Sequence, residues 1–417
     1  MDAAAVTGAR NWDVVRERYP DIVERLEAGL MQGDPLADAV VVEAREQGIS
    51  FSTLVALLEE HGVACTSAGV SSDPDHLEMP ASMTRLLRVA GTPPTWFDAA
   101  WVEAGARAWW RFGTLQSSTL YQSLIYGFKA QGFVRPLVAT GRLGSGTRDR
   151  VESTARWVAE ATTPGSMLPG HPGWVATLRI RLLHAYIRDI LLHPPGDEMA
   201  EHEDAGWDEG EWGTPINQTY SVMTISCGFL ALPLVVAKDF GIRYSSAECE
   251  AITHLWRWIG WVIGVDDDLL PPSYDSATEL FRVAGEFELR PDDSSKVLIK
   301  ALLREGYDLP RVVHGAAPIP VPGLLVSAVD ALTRPLLMSS FSAISTRWVE
   351  RPVARRMGLR RTPLHHLVDV ARPAVRLREI ARATGLLGSE STVIERELRT
   401  VRRGLGMPQA AEVPLTA

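Results

Sequence analysis

Arg181, His184 and Arg188 lie within a largely apolar helical pattern between residues 174 and 192. They are spaced by three and four residues, so a helix places them on one face. Leucine and isoleucine side chains cover most of the circumference of this helix, which predicts that it is buried nearly all round. We call these three residues the Arg–His–Arg group. Its chemistry is that of two cations and one imidazole directed towards an apolar interior, where unpaired arginines are costly.

The residues alone leave three interpretations of this group open. In the first, the arginines reach solvent or pair with acidic loop residues, and the helix is partly exposed. In the second, the group binds haem, because the iron accepts an imidazole and the two propionates accept guanidinium donors. In the third, a metal-free helical enzyme or binding protein holds an anionic ligand through Arg181 and Arg188, and His184 is a general base.

The elements that position this group are predicted to be helices throughout. Apolar residues recur every three or four positions along most of the 417 residues, and no series of alternating strands is present. The pattern predicts an all-α protein. We expect an N-terminal helical extension over 1–80, a main helical domain over 81–375, and a C-terminal helix and tail over 376–417.

Composition excludes several classes of function. A net charge of −9 argues against nucleic acid as a partner, because phosphate binding needs a concentrated basic face. Cys65, Cys227 and Cys249 have no metal-ligand spacing, and no signal sequence is evident, so we expect a cytoplasmic protein. The nineteen uncharged residues 219–237 contain Pro, Ser and Thr, which favours a core helix over a stable membrane span.

Two other polar clusters are weaker candidates. Asp266 begins a run of three aspartates, but Leu270 stands where a magnesium-binding pattern needs a further aspartate, so a solvated helix end is favoured. His365 and His366 are adjacent, and adjacent residues of an α-helix do not face each other, so we do not expect a ligand pair. Asn217 is expected to cap the helix that follows it.

The motifs around the Arg–His–Arg group resemble the haem-dependent oxygenases that include the latex-clearing proteins (rubber oxygenases) and the membrane-bound oxygenase of mycophenolic acid biosynthesis. The rubber oxygenases carry Arg-x-x-Lys-Thr and, thirty residues from that threonine to the histidine, Arg-x-x-His-x-x-x-Arg. Here RVEST supplies Arg150, Ser153 and Thr154, and RLLHAYIR keeps the same offset to His184. Further similar stretches, including WGTPINQTY and ITHLWRWIGWVIGVDDDLLP, extend the resemblance over about residues 85 to 275.

This resemblance implies a globin-like helical core that binds haem b, with His184 as the iron ligand and O₂ bound on the opposite side. It implies that the helix bearing the RVEST motif faces that opposite, distal side. Helical spacing independently places positions 150, 153, 154 and 157 on one face. The expected catalytic residues are Arg150, Ser153 and Thr154, and the expected cofactor-binding residues are Arg181, His184, Arg188 and Trp157.

Two departures from the rubber oxygenases bear on the reaction. Ser153 stands where they have a lysine, and it is too short to coordinate iron, so we expect an open or water-occupied distal site. Those enzymes also use a glutamate before the arginine as a base, whereas no acidic residue occurs here between Glu103 and Asp149. Glu152 points roughly opposite Arg150 on the helix. The missing carboxylate argues against rubber as the substrate.

The sequence therefore favours a haem b oxygenase acting on an apolar small molecule, such as an alkene-containing isoprenoid or polyketide, with O₂ as the second substrate. No reductase-like segment is present, which suits a dioxygenase. A haem-binding protein that stores, senses or carries haem is the alternative from a different class, and the metal-free anion-binding protein is the third.

Overall fold

The structure of the chain, a computed structural model, describes residues 12–64, 79–139, 147–194, 207–287, 291–305 and 335–408. These residues form helices joined by turns and loops, without a β-strand, which confirms the predicted all-α class. Cys65 lies outside the described residues. Cys227 and Cys249 are free thiols.

The α-helices are α1 (Trp12–Arg18), α2 (Pro20–Gly29), α3 (Pro35–Glu46), α4 (Phe51–Ala64), α5 (Ala81–Ala90), α6 (Ala99–Trp109), α7 (Gln116–Gly127), α8 (Gln131–Ala139), α9 (Thr147–Ala161), α10 (Pro172–Leu192), α11 (Glu209–Trp212), α12 (Gln218–Val222), α13 (Leu232–Phe240), α14 (Ser246–Val262), α15 (Tyr274–Phe287), α16 (Asp293–Glu305), α17 (Pro335–Ser345), α18 (Arg351–Arg356), α19 (Leu367–Ala383) and α20 (Glu390–Gly404). Two 3₁₀ segments, Trp110–Leu115 and Pro363–His366, and a π-helix, Met223–Ala231, complete the described elements.

Helix α10, which carries the Arg–His–Arg group, lies at the centre of the helical packing. It contacts α3 and α4 from the N-terminal region, α9 before it in the chain, and α14 after it. Trp174, Leu178 and Leu182 of α10 have no solvent exposure. Helices on both sides of residue 80 contribute to this packing, since α3 contacts both α5 and α10. The domain boundaries at residues 80 and 375 stay a prediction.

The long apolar segment forms a core helix. Gln218–Phe240 is continuous through α12, the π-helix and α13, and among the described helices it alone is long and apolar enough to cross a membrane. Of its apolar window, 83% is buried inside the protein, against α7, α14 and α15. The side chain of Asn217 accepts a hydrogen bond from the Tyr220 N–H at 3.0 Å, which confirms the predicted N-cap.

His365 and His366 lie closer together than the spacing argument implies. Their ring centroids lie 3.9 Å apart. The two residues belong to a 3₁₀ segment that precedes α19, and the expectation that they are not a ligand pair stays a prediction. His365 Nδ1 lies 2.7 Å from the Thr362 carbonyl oxygen and His366 Nδ1 lies 3.1 Å from Asp369 Oδ2, and these contacts fix both rings.

Candidate functional site

Arg181 is paired with a carboxylate from the N-terminal region. Its Nε and Nη2 donate to the two oxygens of Asp34 at 2.6 and 2.9 Å, and Nη1 donates to the Val262 carbonyl at 3.2 Å. Both side chains are buried, with 7% and 9% exposed. Asp34 is also the N-cap of α3, where its side chain accepts from the Ala37 N–H. One buried ion pair therefore joins α10 to the start of α3 and the end of α14.

Arg188 makes a similar connection about two turns further along α10. It is ion-paired with Asp38 of α3, and it donates from Nε to the Pro215 carbonyl at 2.9 Å and from Nη2 to the Ile216 carbonyl at 2.8 Å. Ile216 has a φ of 50°, which is unusual for a β-branched residue. Arg188 thus holds the strained turn that precedes α12.

Close backbone packing surrounds the Arg181 pair. Gly264 has a φ of 99°, and a Cβ atom there would lie 2.3 Å from Asp34 Oδ2. Only glycine fits this position without displacing the carboxylate. Gln218 joins the same region, because its Nε2 donates to the Gly33 and Gly264 carbonyls and its Oε1 accepts from the Asp266 N–H at 2.9 Å.

The first interpretation of the arginines therefore describes their pairing, although the partners belong to a helix start rather than to an acidic loop. Both guanidinium groups are held by carboxylates and backbone carbonyls. Contact between Arg181 or Arg188 and haem propionates stays a prediction. The arrangement shows that the two arginines anchor α10 and so fix the direction of its other side chains.

His184 differs from its two neighbours because its imidazole has no hydrogen-bond partner in the described part of the chain. The ring lies deep in the protein, yet the residue keeps part of its surface accessible. Burial, and secondarily the charge of Arg188, lower the pKa of His184 to about 4. The ring is therefore uncharged at neutral pH, with a nitrogen lone pair available to a metal.

Helices α9 and α10 form an antiparallel pair. A Cβ atom on Gly173 would lie 2.8 Å from the Glu160 carbonyl, and Trp157 Nε1 donates to Thr177 Oγ1 at 3.1 Å. The contacts therefore move towards the N-terminus of α9 as they move towards the C-terminus of α10. If this register continues for two further turns, about 10 Å along each axis, it predicts Arg150 and His184 at the same level.

The exposure of the side chains of α9 increases towards the RVEST motif. Trp157 is buried, whereas Thr154 and Arg150 are partly accessible and Ser153 is exposed. His184 lies on the face of α10 that Thr177 presents to α9, seven residues further on. An opening between the two helices, faced by the predicted distal residues and the predicted iron ligand, stays a prediction, as do the roles of these residues.

Trp157 packs against aromatic side chains from other helices. Its ring packs edge-on against Phe229 of the π-helix at 5.5 Å and against Trp256 of α14 at 6.3 Å. Phe229 also lines a cavity of about 40 Å³. The remaining lining residues include Tyr126, Lys129, Phe133, Met223 and Thr224.

Sequence reasoning missed several of these residues. Asp34 and Asp38 lie about 150 residues before their arginines, and no local pattern marks them as partners. Lys129 is 2% exposed, with its Nζ 3.6 Å from the centroid of the Tyr126 ring. A polar residue within an apolar run was the available signal.

Glu103 and Glu152 are the carboxylates that could replace the missing base, and both form an ion pair with an arginine of their own helix. Glu103 accepts from Arg107 Nε at 2.9 Å and from the Gly165 N–H at 2.7 Å. Glu152 accepts from Arg156 Nη2 at 3.1 Å. Both carboxylates are therefore engaged in local contacts, and a role as base stays a prediction for either.

Comparison with known proteins gives a consistent set of similarities. Residues 83–384 match the family described as ER-bound oxygenase mpaB/B′/rubber oxygenase, catalytic domain. The rubber oxygenase of Streptomyces sp. (strain K30) is 24% identical over 307 residues, which cover 71% of this chain and 65% of that protein. The structure of the latex-clearing protein in its closed state superposes with a TM-score of 0.62 and 21% identity, over 92% of each chain.

The buried Arg181–Asp34 pair predicts a large loss of stability when one partner is removed. We expect Arg181→Ala to lower the free energy of unfolding by about 3–5 kcal/mol, because Asp34 is left buried and unpaired. The double variant Arg181→Ala/Asp34→Ala should lose less than the two single variants together. Urea unfolding followed by circular dichroism measures these losses.

The control for this experiment is Arg179→Ala on the same helix, since Arg179 and Glu59 form an exposed pair. Its expected loss is below about 1 kcal/mol. Equal losses for Arg179→Ala and Arg181→Ala would show that the buried pair does not anchor α10.

The lowered pKa of His184 predicts acid sensitivity of the haem-free protein. The unfolded chain binds a proton at His184 below about pH 6.5, whereas the folded chain does so only below about pH 4. The contribution of His184 to the free energy of unfolding is therefore fully present above about pH 6.5. It is lost as the pH drops towards 4, by on the order of 3 kcal/mol. His184→Leu should lack this component in urea unfolding at a series of pH values. Parallel pH profiles for the wild type and the variant would contradict the assignment.

Proposed function

The chain belongs to the family of the mpaB-type and rubber oxygenases, and we propose that it is a haem b-dependent oxygenase that acts on an apolar small molecule. The observation that carries the proposal is His184, an uncharged and unpartnered imidazole within the described helices, held deep in the protein. The match covers under two thirds of the length of the Streptomyces rubber oxygenase. Activity, cofactor and substrate are therefore proposed for this chain.

The residues around His184 fit a haem. Its neutral imidazole is the donor that haem iron takes in globins. Ile180, Leu183 and Ile187 are partly accessible on the surrounding face of α10 and offer apolar contacts to a porphyrin plane. When bound, haem b supplies the O₂ chemistry that amino-acid side chains lack.

The protein would contribute position, polarity and exclusion of water. The ion pairs of Arg181 and Arg188 fix α10, and so fix the imidazole of His184. Arg150 would place a cation, and Thr154 a hydroxyl, on the other side of the opening. The Thr154 hydroxyl lies 2.9 Å from the Arg150 carbonyl, to which it donates. Ser153 is too short to fill the opening, which leaves room there for a small molecule.

The substrate is proposed to contact the aromatic wall formed by Trp157 and Phe229. Apolar residues of the π-helix and α8 continue this wall into the neighbouring cavity. Glu103 and Glu152 are both engaged elsewhere, so rubber cleavage by the base-dependent route is not the proposed reaction. An alkene-containing isoprenoid or polyketide of small size fits the apolar surroundings.

Two alternatives differ in how the structure bears on them. Anion binding by Arg181 and Arg188 is disfavoured, because both guanidinium groups already bind carboxylates. A haem-binding protein without oxygenase activity stays the alternative, because the sequence has no acidic residue between Glu103 and Asp149, the region in which the rubber oxygenases carry their base. We also propose a reducing, cytoplasmic setting, which the free thiols of Cys227 and Cys249 support. Burial raises the pKa of the Cys227 thiol to about 12.

O₂ uptake distinguishes an oxygenase from a haem carrier. The haem-loaded protein is supplied with short alkene-containing isoprenoids, and O₂ consumption and oxygenated products are measured by electrode and mass spectrometry. We expect uptake that depends on the alkene and falls in Arg150→Ala and Thr154→Val. Haem-loaded protein that consumes no O₂ with any alkene, and leaves all of them unchanged, would favour the carrier.

Removal of the imidazole should abolish haem retention. We expect His184→Ala to elute without a Soret band and with unchanged helix content, because the iron loses its protein ligand. His193→Ala is the matched control, since His193 lies just after the same helix with 61% of its side chain exposed. Full haem occupancy of His184→Ala would show that another residue holds the iron.

A lysine at position 153 tests whether this residue faces the iron. Ser153→Lys should add a sixth ligand and shift the ferric spectrum towards a low-spin form. Glu152→Lys introduces the same side chain one position earlier, on another face of α9, and should leave the spectrum unchanged. Identical spectra for the wild type and Ser153→Lys would place the RVEST motif away from the cofactor.

A further inference from the structure

Helix α19 presents apolar side chains on two opposite faces. The inner face carries the buried residues Val368 and Val375. The outer face carries Val370, Leu377 and Ile380, which are 73%, 67% and 59% exposed. Positions 370, 373, 377 and 380 repeat every three or four residues, so they form one stripe that runs about 15 Å along the helix. Leu386, 79% exposed, follows just beyond the helix end.

Ion pairs fix the direction of this stripe. Arg372 binds Asp239 of α13 at 2.8 Å, Arg378 binds Glu397 of α20 at 2.9 Å, and Glu379 accepts from Arg111 at 2.7 Å. Because these contacts come from the inner side, α19 cannot rotate to bury the outer stripe. The apolar stripe is therefore presented outwards by a firmly held helix.

The chain around the stripe is strongly basic. Residues 351–384 contain nine arginines, one aspartate and one glutamate, a net charge of +7, although the whole chain carries −9. Six of these arginines are exposed: Arg351, Arg355, Arg356, Arg360, Arg361 and Arg376. Arg376 lies on the flank of the stripe, at its polar edge.

We propose that α19 docks this protein on the surface of an anionic lipid bilayer. A stripe of apolar side chains beside exposed cations is the pattern of a helix that lies in a membrane interface, where the side chains enter the acyl boundary and the arginines meet anionic headgroups. Charge complementarity selects this occupant, because a second copy of the chain would bring an equally basic face to the contact. The inference is independent of oxygenation, although such docking would bring the protein to where apolar molecules accumulate.

Co-sedimentation with vesicles tests the proposal. The probes are vesicles of phosphatidylcholine alone and of phosphatidylcholine with about one third phosphatidylserine, added to the full chain as purified. We expect binding to the anionic vesicles only, with strong weakening when salt shortens the range of charge interactions. Leu377→Asp and Ile380→Asp should each lower the partition coefficient by about tenfold or more, since each removes one buried apolar side chain.

Two matched variants separate the effects of the stripe and of the charge. Val297→Asp on α16, at a valine that is 50% exposed, makes a similar change elsewhere and should bind as the wild type does. Arg355→Glu/Arg356→Glu should weaken binding without touching the stripe. Circular dichroism checks that each variant is folded.

Three results would overturn the proposal. One is the absence of binding to anionic vesicles. Another is equal binding by Leu377→Asp and the wild type. The last combines two observations: the wild type does not bind vesicles, and it forms an oligomer in size-exclusion chromatography that Leu377→Asp dissociates. This result would assign the stripe to contact with a second copy of the chain.

Discussion

Two buried ion pairs determine where the central helix of this protein lies. Arg181 and Arg188 project from a helix whose other residues are largely apolar, and they form ion pairs with Asp34, the N-cap of α3, and with Asp38 of α3. Such pairs add little net stability, because desolvation offsets the attraction between the charges. A register in which either arginine lost its carboxylate would leave a buried charge, so the pairs select one position of α10 against α3.

The properties of His184 follow from this position. The imidazole lies between the two arginines in sequence, and it has no hydrogen-bond partner among the described residues. Burial and the nearby Arg188 charge both oppose its protonation, and its pKa falls to about 4. The same packing that makes a protonated ring unfavourable keeps the neutral ring available to a metal at physiological pH. Position and protonation state therefore have a common origin.

Local features of the sequence predict much of this arrangement. Helical periodicity predicts α10 and its burial, and Asn217 is recognised as an N-cap because that role depends on adjacent residues. The spacing within RVEST predicts a shared helix face, and its orientation towards His184 stays a prediction. The resemblance to the oxygenases supplies the haem hypothesis, which local periodicity alone leaves open.

Other features depend on contacts that no local pattern encodes. Asp34 is 147 residues from Arg181, so the pair is visible only in three dimensions. The rings of His365 and His366 lie close together because each is positioned by its own contact, with the Thr362 carbonyl and with Asp369, and neither contact follows from the spacing of the two residues. The π-helix arises within an apolar run whose composition is equally compatible with an ordinary α-helix. The burial of Lys129 likewise depends on the packing of α7 against that π-helix.

We propose that haem b binds to the face of α10 around His184. The most direct measurement is the absorption spectrum of the wild-type protein, produced with a haem precursor, together with a pyridine haemochrome assay for cofactor identity and stoichiometry. We expect a Soret band and about one haem b per chain, as a single histidine ligand requires. A colourless, folded protein that also fails to retain added haemin would contradict it.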